Sequence, residues 1–595
     1  MTQEALLLTD GSSPADTENL AKALQFFGVP YRSMTADQFL TGCPKGSKSK
    51  LLCTAGAFLH LITRLERTSA GDRFFEEHLH SVFVYGANDA GVLTRLARIL
   101  ACDDDVGIQG LEQCGSDIVV SDAMDDFCGV MASVRVAAPK TNLNGEFALG
   151  ITSRNVVNVI SLGDGAAFLK FEYKGVSVFL STSRAIIDLD AELKSQNFDV
   201  RDHFFSAVPL ALYVRWAFAE TCWRAAETNA CLVIDDPVLK PRHGFVNFQE
   251  LLSLMKRHKF STNIAFIPWN WRRSAPEVVQ LFRENPDNYS LSVHGCDHTR
   301  AEFGSSDQQR LYWKAQQALK RMNRHESMTG IRHDRVMVFP HGVFSEAATN
   351  ALRHTEFMAA VTNDIIGADS RSHTITIADV WEIAVMRYNS FPIFTRRYPW
   401  EGIENFAFDA VLGKPAIIVI HHDYCSDYCL HLIDFIERLN ALSIAPTWRS
   451  LREVVRRSYR QRELRSNEVE IEMYAAELRI ENHSGQPKRF LIRRRESEPS
   501  VIREISGGSG SLAWNSANGC INFEIKLSSG ESTIVAIKFH ELAQNGRDGD
   551  HLGYRFNAML RRYLCEIRDN YFTITKLRLA SRLGIRDQKS EVRTR

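Results

Sequence analysis

Along this chain, short apolar runs alternate with segments whose apolar positions recur every three or four residues. Positions 5–8 (Ala5, Leu6, Leu7, Leu8) read as a buried strand. Positions 16–27 follow, with Leu20, Ala23, Leu24 and Phe27 on one helical face and Gly28 as a stop. Positions 81–86 form another short apolar run ending in glycine. Two alternating segments, 168–173 and 176–180, flank Lys174-Gly175 and predict a hairpin.

Residues 1–215 are thus expected to form an α/β domain, similar on pattern alone to flavodoxin-like or amidotransferase-like folds. The pattern is more regular from 216 to 455. Strands are expected at 230–234, 263–267, 290–293, 335–339 and 416–420, and helices at 248–258, 275–284 and 307–324. Repeated β-α units predict a parallel sheet or barrel covered on both faces. From 466 to 540, alternating segments and Gly/Ser turns predict a small β-sandwich. Residues 541–595 read as a basic helical tail. From 555 onward it holds 11 Lys/Arg against 4 Asp/Glu, with Phe556, Leu560, Tyr563, Leu564 and Ile567 at helical spacing. A helix over 555–586 is expected to dock its apolar face on the barrel or the sandwich and to be dispensable for chemistry. Attachment to an anionic membrane is the second, less favoured use.

Composition changes little. The 595 residues carry 71 basic and 71 acidic side chains, so no global field draws the chain to nucleic acid, and none is expected as a partner. The first ten residues lack a basic stretch followed by a long apolar run, and the 12 cysteines include no CxxC pair. Reduced thiols and a cytoplasmic location are expected. The N-terminal region has no GxGxxG and no P-loop, and Cys53 reads as a buried structural thiol.

The candidate chemistry lies in the middle region. Three apolar strands each end in groups that bind metal or move protons: Asp235-Asp236, His294 with His298, and His421-His422. In parallel α/β architectures strand C-termini converge on one rim. His294 and His298 are four apart, so one helical turn would put both imidazoles on one face. A carboxylate would complete a three-ligand set of the catalytic zinc kind, a second could take a proton, and a further histidine could give one.

With these residues in this order, the region resembles the polysaccharide deacetylases with a NodB homology domain, carbohydrate esterase family 4. The first motif is matched by Asp235-Asp236, the second by His294 and His298, and the third by Phe339-Pro340-His341-Gly342. The last is matched loosely by Val419-Ile420-His421. The resemblance covers about 225–450. It implies a distorted (β/α) barrel with one divalent metal, zinc in the first place, and removal of acetyl from an N-acetylated sugar or polysaccharide. Carried over, Asp235 is the general base acting on a metal-activated water, and Asp236, His294 and His298 hold the metal. His421 is the acid, with His422 its rival. Pro340 and His341 face substrate, where the backbone N–H near His341 helps hold the oxyanion.

The chain departs from the family where an Arg that pairs with the catalytic Asp is expected. Val338 stands there, and Arg242 or Arg387 are the candidates to replace it. The nearest candidate for the fourth motif is Trp381-Glu382. Trp269 and Trp271, just past the 263–267 strand, are candidates for stacking on a sugar ring. Two other readings compete: a phosphoesterase or glycosidase on the same barrel, with Asp297 and Asp423 as extra carboxylates, and a carbohydrate-binding pseudoenzyme.

Overall fold

The computed structural model describes residues 4–9, 14–42, 48–67, 71–86, 88–103, 105–115, 117–137, 146–369, 374–508, 510–543 and 551–572. Its middle region holds a sheet whose main path runs through β1 (Asn229–Asp235), β2 (Thr262–Phe266), β3 (Tyr289–His294), β4 (Val336–Val338), β5 (Ala359–Thr362), β6 (Ile393–Thr395) and β7 (Ala416–His421), with Thr447–Trp448 pairing alongside the start of β1. They pair in the order β6-β5-β4-β3-β2-β1-β7, every pair parallel. The sheet curls until its edges meet. The Arg397 N–H donates to the Ile417 carbonyl at 2.9 Å, and the Val419 N–H donates to the Arg397 carbonyl at 2.9 Å. This is the geometry of a distorted (β/α) barrel.

The strands are largely apolar because both faces are covered, and among the buried polar exceptions Asn263 hydrogen-bonds with Ser290 and Ser292. Val233, Ala265, Val338, Val361, Phe394 and Ile417 are buried in one cluster, and Leu232, Ile264, Leu291, Met337, Ala360 and Ile418 in another. The predicted helices form and end where their capping groups say. Phe248–His258 starts at Asn247, whose side chain accepts from the Gln249 and Glu250 N–H groups. Gln308–Thr329 starts at Asp307 and ends at Gly330 with φ +73°, five residues past the expected end. Strands β5 and β6 were not expected. At four and three residues they are too short for a period to show.

The N-terminal region is a mixed sheet. Strands Tyr31–Met34, Ala5–Leu8, Ser49–Thr54, Leu79–Tyr85 and Val176–Ser181 lie side by side and parallel, in that order. Beyond them the sheet continues antiparallel through Gly165–Tyr173, which pairs with Val176–Ser181 as the predicted hairpin. Cys53 is fully buried in its strand.

Past the barrel, two sheets share one apolar cluster that includes Val469, Ile471, Ile480, Ile492, Phe523 and Val535. The first of these sheets starts earlier than residue 466, with Arg460–Arg465 paired to Arg224–Ala225 from the barrel's leading segment. Buried Arg353 on a barrel helix pairs with buried Glu496 of this region.

Ile418 is fully buried, sits opposite Leu232 and lies at the closing bridge. Ile418→Ala is expected to cost about 2–5 kcal/mol through lost burial and a residual cavity. The check is a lower urea midpoint with an unchanged m-value.

Candidate metal centre

The predicted groups meet at the C-terminal rim of the barrel. Asp235 ends β1, and Asp236 takes the next position with φ +79°. A positive φ is uncommon for a residue with a Cβ. Here it turns the Asp236 carboxylate out of the strand's alternation and toward β3. The carboxylate oxygen Oδ1 lies 3.0 Å from His298 Nε2 and 3.4 Å from His294 Nε2. One ligand atom from each of the three residues falls within 4.8 Å of the others.

His294 and His298 do not share a helix turn, contrary to the expectation from their spacing. His294 is the last residue of β3, and His298 sits in the following loop with φ +54°. Two devices fold this loop back. Gly295 has φ +61°, and a Cβ there would meet Pro340 Cγ at 2.5 Å and Glu302 Oε2 at 2.7 Å. The Glu302 carboxylate then accepts three successive backbone N–H groups, from Cys296, Asp297 and His298, each at 3.0 Å. Burying that carboxylate requires compensation. Lys314 supplies it, donating at 3.2 Å to Glu302 and to Asp297, while Arg321 donates to Asp297 at 2.6 Å. The acidic cluster of Cys296, Asp297 and Glu302 thus has its charge matched by two cations and is an ion-pair network.

The three-residue set suits a divalent ion. Asp236 Oδ1 is buried and makes no hydrogen bond, although two imidazole nitrogens are within 3.4 Å. His294 Nδ1 lies 3.0 Å from the Val338 carbonyl, which can only accept. Its Nδ1 therefore carries the proton, and in the neutral ring the Nε2 lone pair faces Asp236. Burial pushes the Asp236 carboxyl up, but the charge of His298 and His294 in their protonated form outweighs it and holds the group well below the ordinary carboxylate value. The site is an anion with two nitrogen donors, a composition zinc accepts.

Asp235 has a different partner from any the sequence suggested. Arg396, one residue past β6, holds it in a bidentate pair, Nη1 to Oδ1 at 2.7 Å and Nη2 to Oδ2 at 2.8 Å, with both residues buried. Arg242 instead donates to the Gly244 carbonyl at 3.1 Å, and Arg387 is exposed. Burial pushes the Asp235 carboxyl up, but the Arg396 guanidinium more than offsets it, so the group stays below its ordinary value and ionised.

The two terminal histidines separate. His421 pairs with Asp235 across β1 and β7, so both side chains leave the sheet on the same face. His422 turns toward the ring of His243, 5.6 Å away, and toward Asp569, 3.5 Å away. His341, with φ +56°, stands edge-on to His298 at 5.0 Å. Burial beside His298 pushes it down to about 4. Pro340 is buried against Gly295.

The tryptophans do not line the cavity at Asp236, which is walled by His243, Asn270, Arg273, His298 and His341. Trp269 packs edge-on to Tyr563 at 5.9 Å, and Trp271 stacks under Arg272 and Arg324. Trp381 is a core residue against Phe26 and Phe408, and Glu382 pairs with Arg460 at 3.1 Å.

The remaining wall comes from the C-terminal helix, Leu552–Ile567, and the turn after it. Arg562 donates to the His298 carbonyl at 3.1 Å. Tyr554 donates to Asp297 at 3.2 Å, and Glu566 pairs with Arg273 and Lys240. This docking reverses the expectation. The residues turned inward are Ala558, Arg562 and Asp569, while Phe556, Leu560, Tyr563, Leu564 and Ile567 are exposed. The rim of the barrel is polar, so it selects the polar face. The segment also belongs to the wall of the site, which its treatment as dispensable did not anticipate.

The fold and the site together define a (β/α) barrel with a candidate His-His-Asp metal centre at its C-terminal rim. No protein-family model matches the chain, and a comparison with curated proteins finds no match. Among solved structures it is similar to one described as "T48 deacetylase with substrate", at 12% identity and a TM-score of 0.22 over 38% of this chain and 90% of that one. It is also similar to the peptidoglycan deacetylase PdaC from Bacillus subtilis, at 11% identity and 0.23 over 38% and 90%. A CE4 esterase from Streptococcus mutans is similar at 14% and 0.25 over 38% and 87%. Similarity this low carries no weight on its own, and fold and chemistry rest on the geometry above.

Arg396→Leu is expected to destabilise the fold by about 3–5 kcal/mol at neutral pH, because it leaves a buried carboxylate without its partner. In the wild type the folded Asp235 value is depressed, so its contribution is present above the unfolded carboxylate value and lost as pH falls through the folded one. In the variant, burial is opposed only by His294 and His421, and the folded value rises. The difference between the two proteins should therefore shrink in acid. Urea midpoints measured from neutral pH downward give the check, and a gap that stays constant would contradict this account.

Proposed function

We propose that this chain is a hydrolase that removes acetyl groups from an N-acetylated sugar or polysaccharide, using one divalent ion, zinc in the first place. The observation that carries this reading is the convergence of Asp236, His294 and His298 on one point, beside a buried carboxylate that Arg396 keeps ionised.

In this reading Asp236, His294 and His298 hold the ion, which when bound supplies Lewis acidity toward the acyl oxygen and the attacking water. Asp235 takes the proton of that water. Its two oxygens offer about four lone-pair sites and Arg396 occupies two, so capacity remains. The guanidinium fixes the carboxylate plane and keeps the base ionised to lower pH. His421, on the same face of the sheet as Asp235, gives a proton to the departing amine. The backbone N–H near His341 helps hold the developing oxyanion. His243, buried and lining the cavity with neither ring nitrogen hydrogen-bonded, is a further group available to substrate.

A two-metal phosphoesterase would want more carboxylates at the centre. Asp297 is committed to Lys314 and Arg321, which disfavours that reading.

Two measurements test the proposal. The pure protein titrated with zinc should bind a single ion per chain, and His294→Ala should lose it. Asp235→Asn should keep the ion and lower acetate release from N-acetylated oligosaccharides by roughly 10²–10⁴-fold. Exchange of these roles, with Asp235→Asn losing the ion and Asp236→Asn keeping it, would reassign the pair. No acetate release by a zinc-loaded wild type from any such substrate would sink the function.

A further inference from the structure

The C-terminal helix is inverted relative to an ordinary docking helix. A surface helix normally turns its apolar stripe to the core and its polar face to water. Here the stripe of Leu552, Phe556, Met559, Leu560, Leu564 and Ile567 faces solvent, with Leu552 82% and Phe556 58% exposed. At 100° per residue these six positions and Tyr563 fall within one continuous arc, in which Tyr563 leans back onto Trp269 and Arg273. The opposite side is committed to the site wall through Tyr554, Arg562 and Glu566. A stripe of this size left in water, on an element already anchored elsewhere, marks an interaction surface.

We propose that this outward face seats on an anionic lipid surface. The apolar arc is bordered by cations. Arg555 and Arg568 are exposed and Arg561 is half-exposed. The sequence continues from 573 with Lys576, Arg578, Arg582, Arg586, Lys589, Arg593 and Arg595 against only Asp587 and Glu591. Large apolar residues on one side, with basic residues at the flanks, match the chemistry of an interfacial helix on anionic headgroups. A protein partner would need complementary acids and a shaped apolar groove, and a second copy of this basic helix would repel it. The polar face stays on the barrel while the apolar face meets lipid. A helix is about 10–12 Å across with its side chains. Seating it would therefore hold the rim with Asp236, His294 and His298 at the lipid surface. The proposed hydrolase would then work on a saccharide presented at that surface. Lipid binding itself needs neither the metal nor the reaction, so its failure and that of the hydrolase reading are distinguishable.

The test is sedimentation of the full chain with vesicles of phosphatidylglycerol and phosphatidylcholine in equal parts, against vesicles of phosphatidylcholine alone. The wild type should pellet with the first and not the second, and release as salt is raised. The variant Phe556→Ser, Leu560→Ser, Leu564→Ser changes only exposed side chains and should keep the wild-type urea midpoint while losing the pellet. A wild type that stays in the supernatant with the anionic vesicles overturns the proposal. So does a triple variant that still pellets. If the wild type without vesicles is a dimer and the triple variant a monomer, the face belongs to a second copy of the chain and the lipid proposal is overturned.

Discussion

The buried pair of Asp235 and Arg396 is the constraint on which the site and the closure of the barrel both depend. Taking two charges out of water costs several kcal/mol for each, and only close, two-point geometry offsets it. That geometry is met because β1 and β6 are brought near each other where the curled sheet closes. Arg396 and Arg397 are neighbours with separate tasks. The backbone of Arg397 bridges to β7, and its side chain donates to Asp409 at 2.7 Å, while Arg396 reaches inward to Asp235. One turn of chain after β6 thus ties the sheet edge and orients the proposed base.

The candidate metal set is assembled by strain that the surroundings sustain. Asp236, His298 and His341 all hold positive φ, at +79°, +54° and +56°. Non-glycine residues persist there only when the structure around them over-determines the backbone, and such residues cluster at functional sites. For His298 the over-determination is visible. Three successive N–H groups converge on Glu302, and Lys314 and Arg321 hold the charge balance behind them. These residues sit in a rigid polar network whose cost of disorder is high, because each unpaired buried group would pay its own desolvation.

The C-terminal helix shows the same economy of polar contacts at larger range. Arg562, Tyr554 and Glu566 come from the far end of the described chain to the loop that carries His298 and to the wall of the cavity. In doing so they commit the helix's polar face and leave its apolar face in water. Burial of the apolar face against the rim would have left Lys240 and Arg273 without Glu566 as their partner.

Much of the barrel and the identity of the candidate ligands are legible in the sequence, because both depend on local pattern. Long apolar runs bounded by turns give β1, β2, β3 and β7, and runs ending in Asp-Asp, His and His-His place these groups on one rim. What the pattern could not carry has one physical reason: it depends on residues far apart in sequence and close in space. The HxxxH spacing suggested a helical turn, but a strand end, Gly295 and the Glu302 carboxylate bring the two imidazoles together. The partner of Asp235 lies 161 residues away, one residue past a three-residue strand with no period of its own. An aromatic pair beside a strand looked like a sugar platform, yet Trp269 meets Tyr563. The amphipathic helix was legible over 555–567, the rest of its expected span from 573 lying outside the described residues, but which face it buries was decided by the polar rim it meets. The sequence by itself determined β1, β2, β3, β4 and β7, three of the barrel's helices and the chemically able side chains, and it left β5, β6 and the later helices unread. The tertiary structure alone decided which charges neutralise one another, because Coulomb energy and desolvation depend on distances in space.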